Sequence, residues 1–377
     1  MKVFVVAGEL SGDALGASLM DGLKELVPGV TFEGIGGPQM TASGLTSLFA
    51  MDELSVMGLA EILPKYPQLK RRLNQTITAV LESKPDVLVT IDSPDFGLRV
   101  AKAVKAKSTI RTVHYVAPTV WAWRPKRAAK MARFIDHVLA LFPFEPPYMQ
   151  AEGMACDFVG HPIAVKPQAS EAEAQAFAQT VPGEGPIVLL LPGSRRGEVS
   201  RLLPRFLESL EGFASQTGPF RLVLPTATPV CALIEEMTQD WALPLTVISG
   251  QEGAEKRAAF AAADVALAAS GTVSLELAAA KTPMVVGYDM APLSRFIIQK
   301  MLRTDTVTLV NLVSETRVVP EFIGHYFVPS QVAAALKKTL DAPQAQQDAM
   351  ELCMQRLGQG GIAPGLRAAQ AILDGLK

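Results

Sequence analysis

Cysteine is scarce: Cys156, Cys231 and Cys353 are spread over 377 residues with no metal or redox spacing between them. Such usage fits a reducing compartment with thiols serving as small buried residues. With four histidines, no H-E-x-x-H and no Cys/His cluster, there is no legible zinc site. No GK[ST] follows the loop PGSRRGE, which excludes a Walker A phosphate loop, and no G-x-S-x-G elbow is present. No Asp-x-Asp pair stands ready to hold a divalent ion on a diphosphate, so neither metal nor cofactor is expected. Apolar runs stop short of the ~18–20 residues of a membrane span. The longest, around Phe260 to Ala269, is broken by Asp264. The start, MKVFVVAGELSGDALG, has one lysine and too few apolar residues for a signal peptide. A net charge of −2 argues against bulk nucleic-acid binding. The expectation is a cytoplasmic protein that touches a membrane at most from its surface.

What is present is apolar residues in quantity, 49% of 377, enough for two domains with filled cores. The chain organises around IVLLLPGSRRGEVSRLLPRF, residues 187–206. Ile187 to Leu191 run apolar without alternation, as in a strand buried on both faces. Val199, Leu202, Leu203 and Phe206 then recur at helical spacing. Between strand and helix, Ser194 is available as a cap beside Arg195 and Arg196. A helix N-terminus in such a loop offers free N–H groups and a dipole to a phosphate. The dipole alone contributes only ~0.3–2 kcal/mol, so an arginine must supply most of the affinity. A plain surface turn with two solvated arginines reads equally well from this loop alone.

In chain order, Val3 to Ala7 predicts a strand, GELSGD a turn and Ala14 to Leu26 a helix. Gly8, Gly12 and Gly16 miss the G-x-G-x-x-G spacing, which weakens a dinucleotide reading. Residues 30–37 add a second strand and glycine turn. In LSVMGLAEILPKYPQLKRRL, residues 54–73, Val56, Met57, Leu59, Ile62 and Leu63 precede Lys65, Lys70, Arg71 and Arg72. This is either a core helix with a solvated basic end or an interfacial patch on lipid. Asp86 to Ile91 is a buried strand that delivers Asp92 to its carboxyl end, where open α/β sheets bind ligands. Ser93 suits a cap and Pro94 the first helical position, so Asp92 is either a cap or a site acid. Further strands are expected at Thr112 to Val116, His137 to Phe142 and Asp157 to Gly160. Between the first two, Trp121 and Trp123 precede Arg124, Lys126, Arg127, Lys130 and Arg133, a helix with its own basic end or one gripping a small phosphorylated ligand.

Residues 162–186, rich in Pro, Ala, Glu and Gln, read as a linker with one short helix. The second half alternates strands and helices again to about residue 287, and residues 343–375 look helical. Its second small-residue turn, ALAASGTVSLELAAAKTPMVVGY, offers Ser270 as a cap, Gly271 for close backbone approach, and Glu276 one turn beyond Thr272. A carboxylate there suits ribose hydroxyls; the alternative is a surface glutamate, disfavoured because its helix is mostly apolar.

Taken together, AGELSGD, VMGLAEIL, KPDVLVTIDSPDF, HYVAPTVWAWRPKR, FPFE, LLPGSRRGEV, ASGTVSLE, TPMVVGY and VNLV resemble the lipid-A-disaccharide synthase family of inverting GT-B glycosyltransferases. The resemblance covers nearly the whole chain. It implies an α/β GT-B fold, two Rossmann-like domains facing across a cleft with a C-terminal helix returning to the first. The expected domains are 1–163 for the acceptor, 164–345 for the UDP-sugar, and 346–377 packing back. The implied reaction moves 2,3-diacylglucosamine from its UDP ester to the 6-hydroxyl of 2,3-diacylglucosamine 1-phosphate, releasing UDP. The implied location is the cytoplasmic face of the Gram-negative inner membrane, as a peripheral protein and a possible homodimer.

By the same resemblance Asp92 is the general base. Arg195 with Ser194 holds the diphosphate, Ser270, Gly271, Thr272 and Glu276 bind the donor, and Asn311 matches another functional position. Gly8, Ser11, Gly12, Glu61 and Trp123 fall to the acceptor or the N-terminal loop. The segment holding Val56, Met57, Leu59, Ile62 and Leu63 becomes the membrane patch. Other GT-B enzymes, a lipid-linked sugar transferase or a UDP-sugar epimerase, are the nearest alternatives. A two-lobed sugar-binding protein is the alternative outside enzymes.

Overall fold

In the computed structural model the described residues are 1–54, 59–122, 126–241, 244–250, 253–290 and 304–377, with the side chains of 59–63 excluded. The chain divides into two compact units, Met1–Val165 with Gly360–Lys377, and Lys166–Gln359.

The first unit is built on a six-stranded sheet ordered β2-β1-β3-β4-β5-β6. Its strands are β1 (Lys2–Ala7), β2 (Thr31–Ile35), β3 (Val87–Ile91), β4 (Arg111–Tyr115), β5 (His137–Ala140) and β6 (Ala155–Phe158). Every pairing is parallel. β3 is buried at all five positions, which explains its unbroken apolar sequence: helices cover both faces of a parallel sheet. The order reverses between β1 and β3, the switch point at which doubly wound sheets open a crevice beyond their carboxyl ends.

The second unit repeats the plan with the order β12-β11-β10-β7-β8-β9. Its strands are β7 (Ile187–Leu191), β8 (Arg221–Thr226), β9 (Leu245–Ser249), β10 (Val265–Ala268), β11 (Met284–Tyr288) and β12 (Glu321–Ile323). Here too every pairing is parallel, and the switch point lies between β7 and β10.

Several expected boundaries move. The first helix starts at Leu10, so most of GELSGD is helical rather than a turn. The first helical bond runs from Asp13 N to Glu9 O at 2.9 Å, and the buried Asp13 carboxylate accepts N–H bonds from Gly37 at 2.7 Å, Gln39 at 2.9 Å and Met40 at 3.0 Å. It thereby caps the next helix, Pro38–Ala42, from outside. The fifth strand ends at Ala140 and the sixth at Phe158, both earlier than expected. The helix Leu309–Ser314, strand β12 and helix Pro329–Asp341 lie beyond the elements expected from the sequence; the first two are short, while the third buries Val332, Ala333 and Leu336 at helical spacing.

The chain returns to the first unit at Gly360, not at 346. Gln346 is the reason: its side-chain amide accepts from Met284 N at 2.8 Å and donates to Met284 O at 3.0 Å, which pins helix Gln344–Arg356 to β11. Helix Pro364–Leu376 packs on Leu10–Leu26. A Cβ on Gly365 would lie 2.2 Å from Ser18 Oγ, so this helix pair needs a glycine at its crossing. Arg367 locks it further, donating to Phe158 O at 2.6 Å.

Candidate active site

The carboxyl ends of β1 and β3 place Gly8 and Asp92 at the first switch point. Asp92 and Ser93 both have positive φ, 49° and 37°, and Val116 at the end of the adjoining β4 has 84°. Three non-glycine residues in the left-handed region on one edge of a sheet store strain, about 1–3 kcal/mol each, of the kind that gathers at functional sites. Asp92 N donates to Tyr115 O at 2.9 Å, which fixes the turn to β4. Its Oδ2 accepts from Ser11 Oγ at 3.0 Å, across the switch point. Asp92 is therefore no helix cap. Ser93 occupies the cap position of helix Pro94–Lys105 but makes no side-chain capping bond, contrary to expectation, because its left-handed φ is not the extended backbone from which a cap reaches N2 or N3.

The glycines of AGELSGD serve packing. A Cβ on Gly8 would meet Ser93 Oγ at 2.6 Å, and one on Gly12 would come within 3.4 Å of Ile91 O. They let the start of helix Leu10–Leu26 lie against the end of β3, which carries Ser11 to Asp92.

In the second unit β7 and β10 end side by side, with Ala268 in register with Leu191. Their following loops are thus neighbours: 192–195 before helix Arg196–Thr217, and 269–272 before helix Val273–Ala279. Gly193 has φ of 106°, and a Cβ there would lie 2.8 Å from Glu198 Oε2. Ser194 does not cap the first helix. Arg195 holds the cap position, again without a side-chain bond, because a guanidinium has no acceptor to offer the free N–H groups; it donates instead to Glu198 Oε1 at 3.0 Å. That side chain is 63% exposed, so the ion pair contributes little and leaves the arginine available to a stronger anion. Tyr288, at the end of β11, joins the group: burial first, then Glu198, push its phenol up. Glu198 closes the loop PGSRRGE and stands three residues from Arg195, whereas Tyr288 was not legible as part of this cluster, since nothing in the sequence joins it to a loop so far away.

In the second loop Thr272 takes the cap position expected of Ser270, and no side chain caps the helix. The turn is closed instead by Ser274 Oγ donating to Gly271 O at 2.9 Å. Gly271 has φ of 147°, which only glycine adopts readily. Glu276 has a partner on a neighbouring helix, which relieves the cost of a carboxylate on a mostly apolar helix. Lys256 Nζ reaches its Oε2 at 2.6 Å from helix Ala254–Ala262.

Asn311 is 1% exposed and its amide is engaged within its own segment. It donates to Val319 O at 3.0 Å and accepts from Val319 N at 3.1 Å. Its side chain braces the chain between Leu309 and Val319.

Val56, Met57 and Trp123 lie outside the described residues, as do the side chains of Leu59, Glu61, Ile62 and Leu63. Of the basic residues beyond them, Arg72 belongs to a structural contact: it bonds Glu53 at 2.6 Å and lies 4.5 Å over the Phe49 ring. Lys65, Lys70 and Arg71 are exposed. No helix among the described residues is long and apolar enough to cross a membrane.

FPFE contributes a buried acid. Glu145 accepts from Leu141 N at 3.1 Å, Phe142 N at 3.0 Å and Trp121 Nε1 at 3.4 Å. Burial nevertheless pushes its carboxyl up to about 8. Trp121, Phe142 and Phe144 pack beside it, with ring centroids 5.1–5.4 Å apart.

Two doubly wound parallel units, each with its loops gathered at a switch point, put the protein in the GT-B fold class. Solved structures agree on the fold. UDP-GlcNAc 2-epimerase from Neisseria meningitidis superposes with a TM-score of 0.63 at 12% identity, covering 99% of this chain and 100% of that one. Acinetobacter baumannii MurG gives 0.56 at 12%, covering 100% and 98%.

Sequence comparison goes further. The family model for lipid-A-disaccharide synthetase matches residues 3–371. A lipid-A-disaccharide synthase of Ruegeria pomeroyi is 56% identical, with 100% of this chain and 96% of the relative covered. One from Pseudomonas aeruginosa is 41% identical, covering 99% and 98%. The chain belongs to the lipid-A-disaccharide synthase family, and is thereby a glycosyltransferase of lipid A synthesis.

Proposed function

We propose that the protein transfers 2,3-diacylglucosamine from UDP-2,3-diacylglucosamine to the 6-hydroxyl of 2,3-diacylglucosamine 1-phosphate, inverting the anomeric centre. The observation that carries the reading is the strained Asp92 carboxylate, held by Ser11 at the first unit's switch point. Asp92 takes the proton of the acceptor hydroxyl. The oxygen's electron pair forms the new bond to the anomeric carbon, and the pair of the breaking C–O bond leaves with UDP. A positioned carboxylate base contributes about 10²–10⁴ in rate.

Departure of UDP builds charge on the diphosphate, and the loops at the second switch point suit that charge. Arg195 exchanges its exposed contact with Glu198 for the diphosphate, beside the free N–H groups that open helix Arg196–Thr217. Ser270, Gly271, Thr272 and Glu276 line the donor side on the neighbouring loop, with Lys256 orienting the Glu276 carboxylate for ribose hydroxyls. Asn311 acts from behind by holding its segment in place. The enzyme works from the cytoplasmic face of the inner membrane, as a peripheral protein docked through residues 54–73 and paired as a homodimer.

The test is direct: incubate the pure protein with both lipids and look for the β-1,6 disaccharide 1-phosphate and stoichiometric UDP. Conversion of the UDP-sugar with no acceptor present would make it an epimerase instead.

A further inference from the structure

The first unit holds a groove of about 710 Å³ between helices Pro94–Lys105 and Lys126–Met131. Arg99, Lys102 and Lys105 line it from the first helix, and Arg127, Lys130 and Arg133 from the second and its continuation. Asp95 is the one acid among the lining residues. Lys105 is paired with Asp136 at 2.6 Å, and among the described residues no ion pair involves the other five cations. Six positive charges less Asp95 and Asp136 leave four, in a chain whose net charge is −2. The floor is apolar, from Leu98, Met131 and Phe134.

A concavity of one sign over low-dielectric walls focuses field on an anion, and holding its cations together without one costs repulsion. Arginine forks and lysine ammoniums are the usual donors to phosphate oxygens. The groove is also tied to the reaction centre, because helix Pro94–Lys105 starts two residues after Asp92. Along its axis Arg99 stands about 7.5 Å from Pro94 and Lys102 about 12 Å. Those separations are on the scale of one hexose ring and its phosphate.

We propose that this groove seats the phosphomonoester of the acceptor glycolipid, with Arg99 and Lys102 on one wall and Lys130 on the other. The identity of the acceptor rests on the function proposed above; the phosphate chemistry rests on the groove. Lys102 and Lys130 are exposed, so their neutralisation leaves the core intact. The experiment titrates glucosamine 1-phosphate into the full-length chain and into the Lys102→Gln/Lys130→Gln double variant, with Arg99→Gln as an independent second variant. Acceptor and donor KM are then measured in neutral detergent micelles, and binding to phosphatidylglycerol vesicles is followed by flotation.

About tenfold or greater weakening of glucosamine 1-phosphate binding is expected in each variant, from the loss of charge-assisted bonds. Acceptor KM should rise in parallel, donor KM should hold, and wild-type affinity should fall with added salt. Unchanged affinity in both variants overturns the proposal. So does a loss confined to vesicles, which would make the groove a bilayer-facing surface. A wild-type chain that binds glucosamine 1-phosphate through these residues yet forms no disaccharide would sink the functional reading and leave the groove assignment standing.

Discussion

Replacing Asp92 by asparagine separates base chemistry from backbone geometry. Asp92 sits at φ of 49°, and asparagine tolerates that left-handed conformation about as well as aspartate does. The variant therefore keeps the turn, its shape and its bond to Ser11, and loses only the capacity to take a proton. We expect kcat to fall by about 10²–10⁴, or about 2.7–5.4 kcal/mol of barrier. Donor KM and the unfolding midpoint should stay near wild type. Ser11→Ala removes the 3.0 Å bond to Oδ2 and should lower kcat by about tenfold, the low end for a bond to a charged group because the carboxylate is half-exposed. Ser11 acts through Asp92, so adding Ser11→Ala to Asp92→Asn should change kcat by less than about twofold. Initial-rate UDP release with both lipids present reads all four proteins of the cycle. An Asp92→Asn enzyme within tenfold of wild type would remove this carboxylate from proton transfer, and additive losses would mean that Ser11 contacts substrate on its own account.

Arg195→Ala should raise donor KM about tenfold or more while Arg196→Ala leaves it near wild type; the reverse pattern in donor saturation curves would move the diphosphate to Arg196. Asn311→Ala strips partners from the buried Val319 N and O and should lower unfolding free energy by about 1–3 kcal/mol in urea titration; a donor KM effect without that loss would instead indicate direct contact. Glu145 binds a proton in the folded chain over a range where the unfolded chain does not, its carboxyl being raised from 4.5 to about 8. Its contribution to stability is accordingly present below about pH 4.5 and lost as pH rises toward 8, at up to about 1.4 kcal/mol per pH unit. Thermal melts across that window should show the slope, and Glu145→Gln should flatten it; an undiminished slope in the variant assigns the effect elsewhere.

The relation between sequence and site differs from one residue to the next. Ile187 to Leu191 could be read to the residue, since a strand buried on both faces must be apolar throughout. The loop after it could be placed, but its capping could not: the helix begins at Arg196, so the cap position falls to Arg195 in extended backbone rather than to Ser194. Glu276 could be singled out by its place on a mostly apolar helix, but not the partner that Lys256 supplies from another helix. For Glu276 the missing information was a contact across elements, and for Arg195 it was the backbone conformation at which the helix begins.

The alternation of buried strands and amphipathic helices was sufficient by itself to determine two parallel α/β units, because apolar runs and periods of 3.6 residues are written locally. It also placed Asp92, Arg195 and Ser270 at strand ends. Tertiary structure alone decided which ends adjoin. The strand orders put β1 beside β3 and β7 beside β10, bringing Ser11 to Asp92 and one small-residue loop against the other. It likewise decided that the chain returns to the first unit only at Gly360, since Gln346 is held by Met284, 62 residues away in sequence. Strand order and such long-range bonds depend on how separate segments pack, and no local pattern records that.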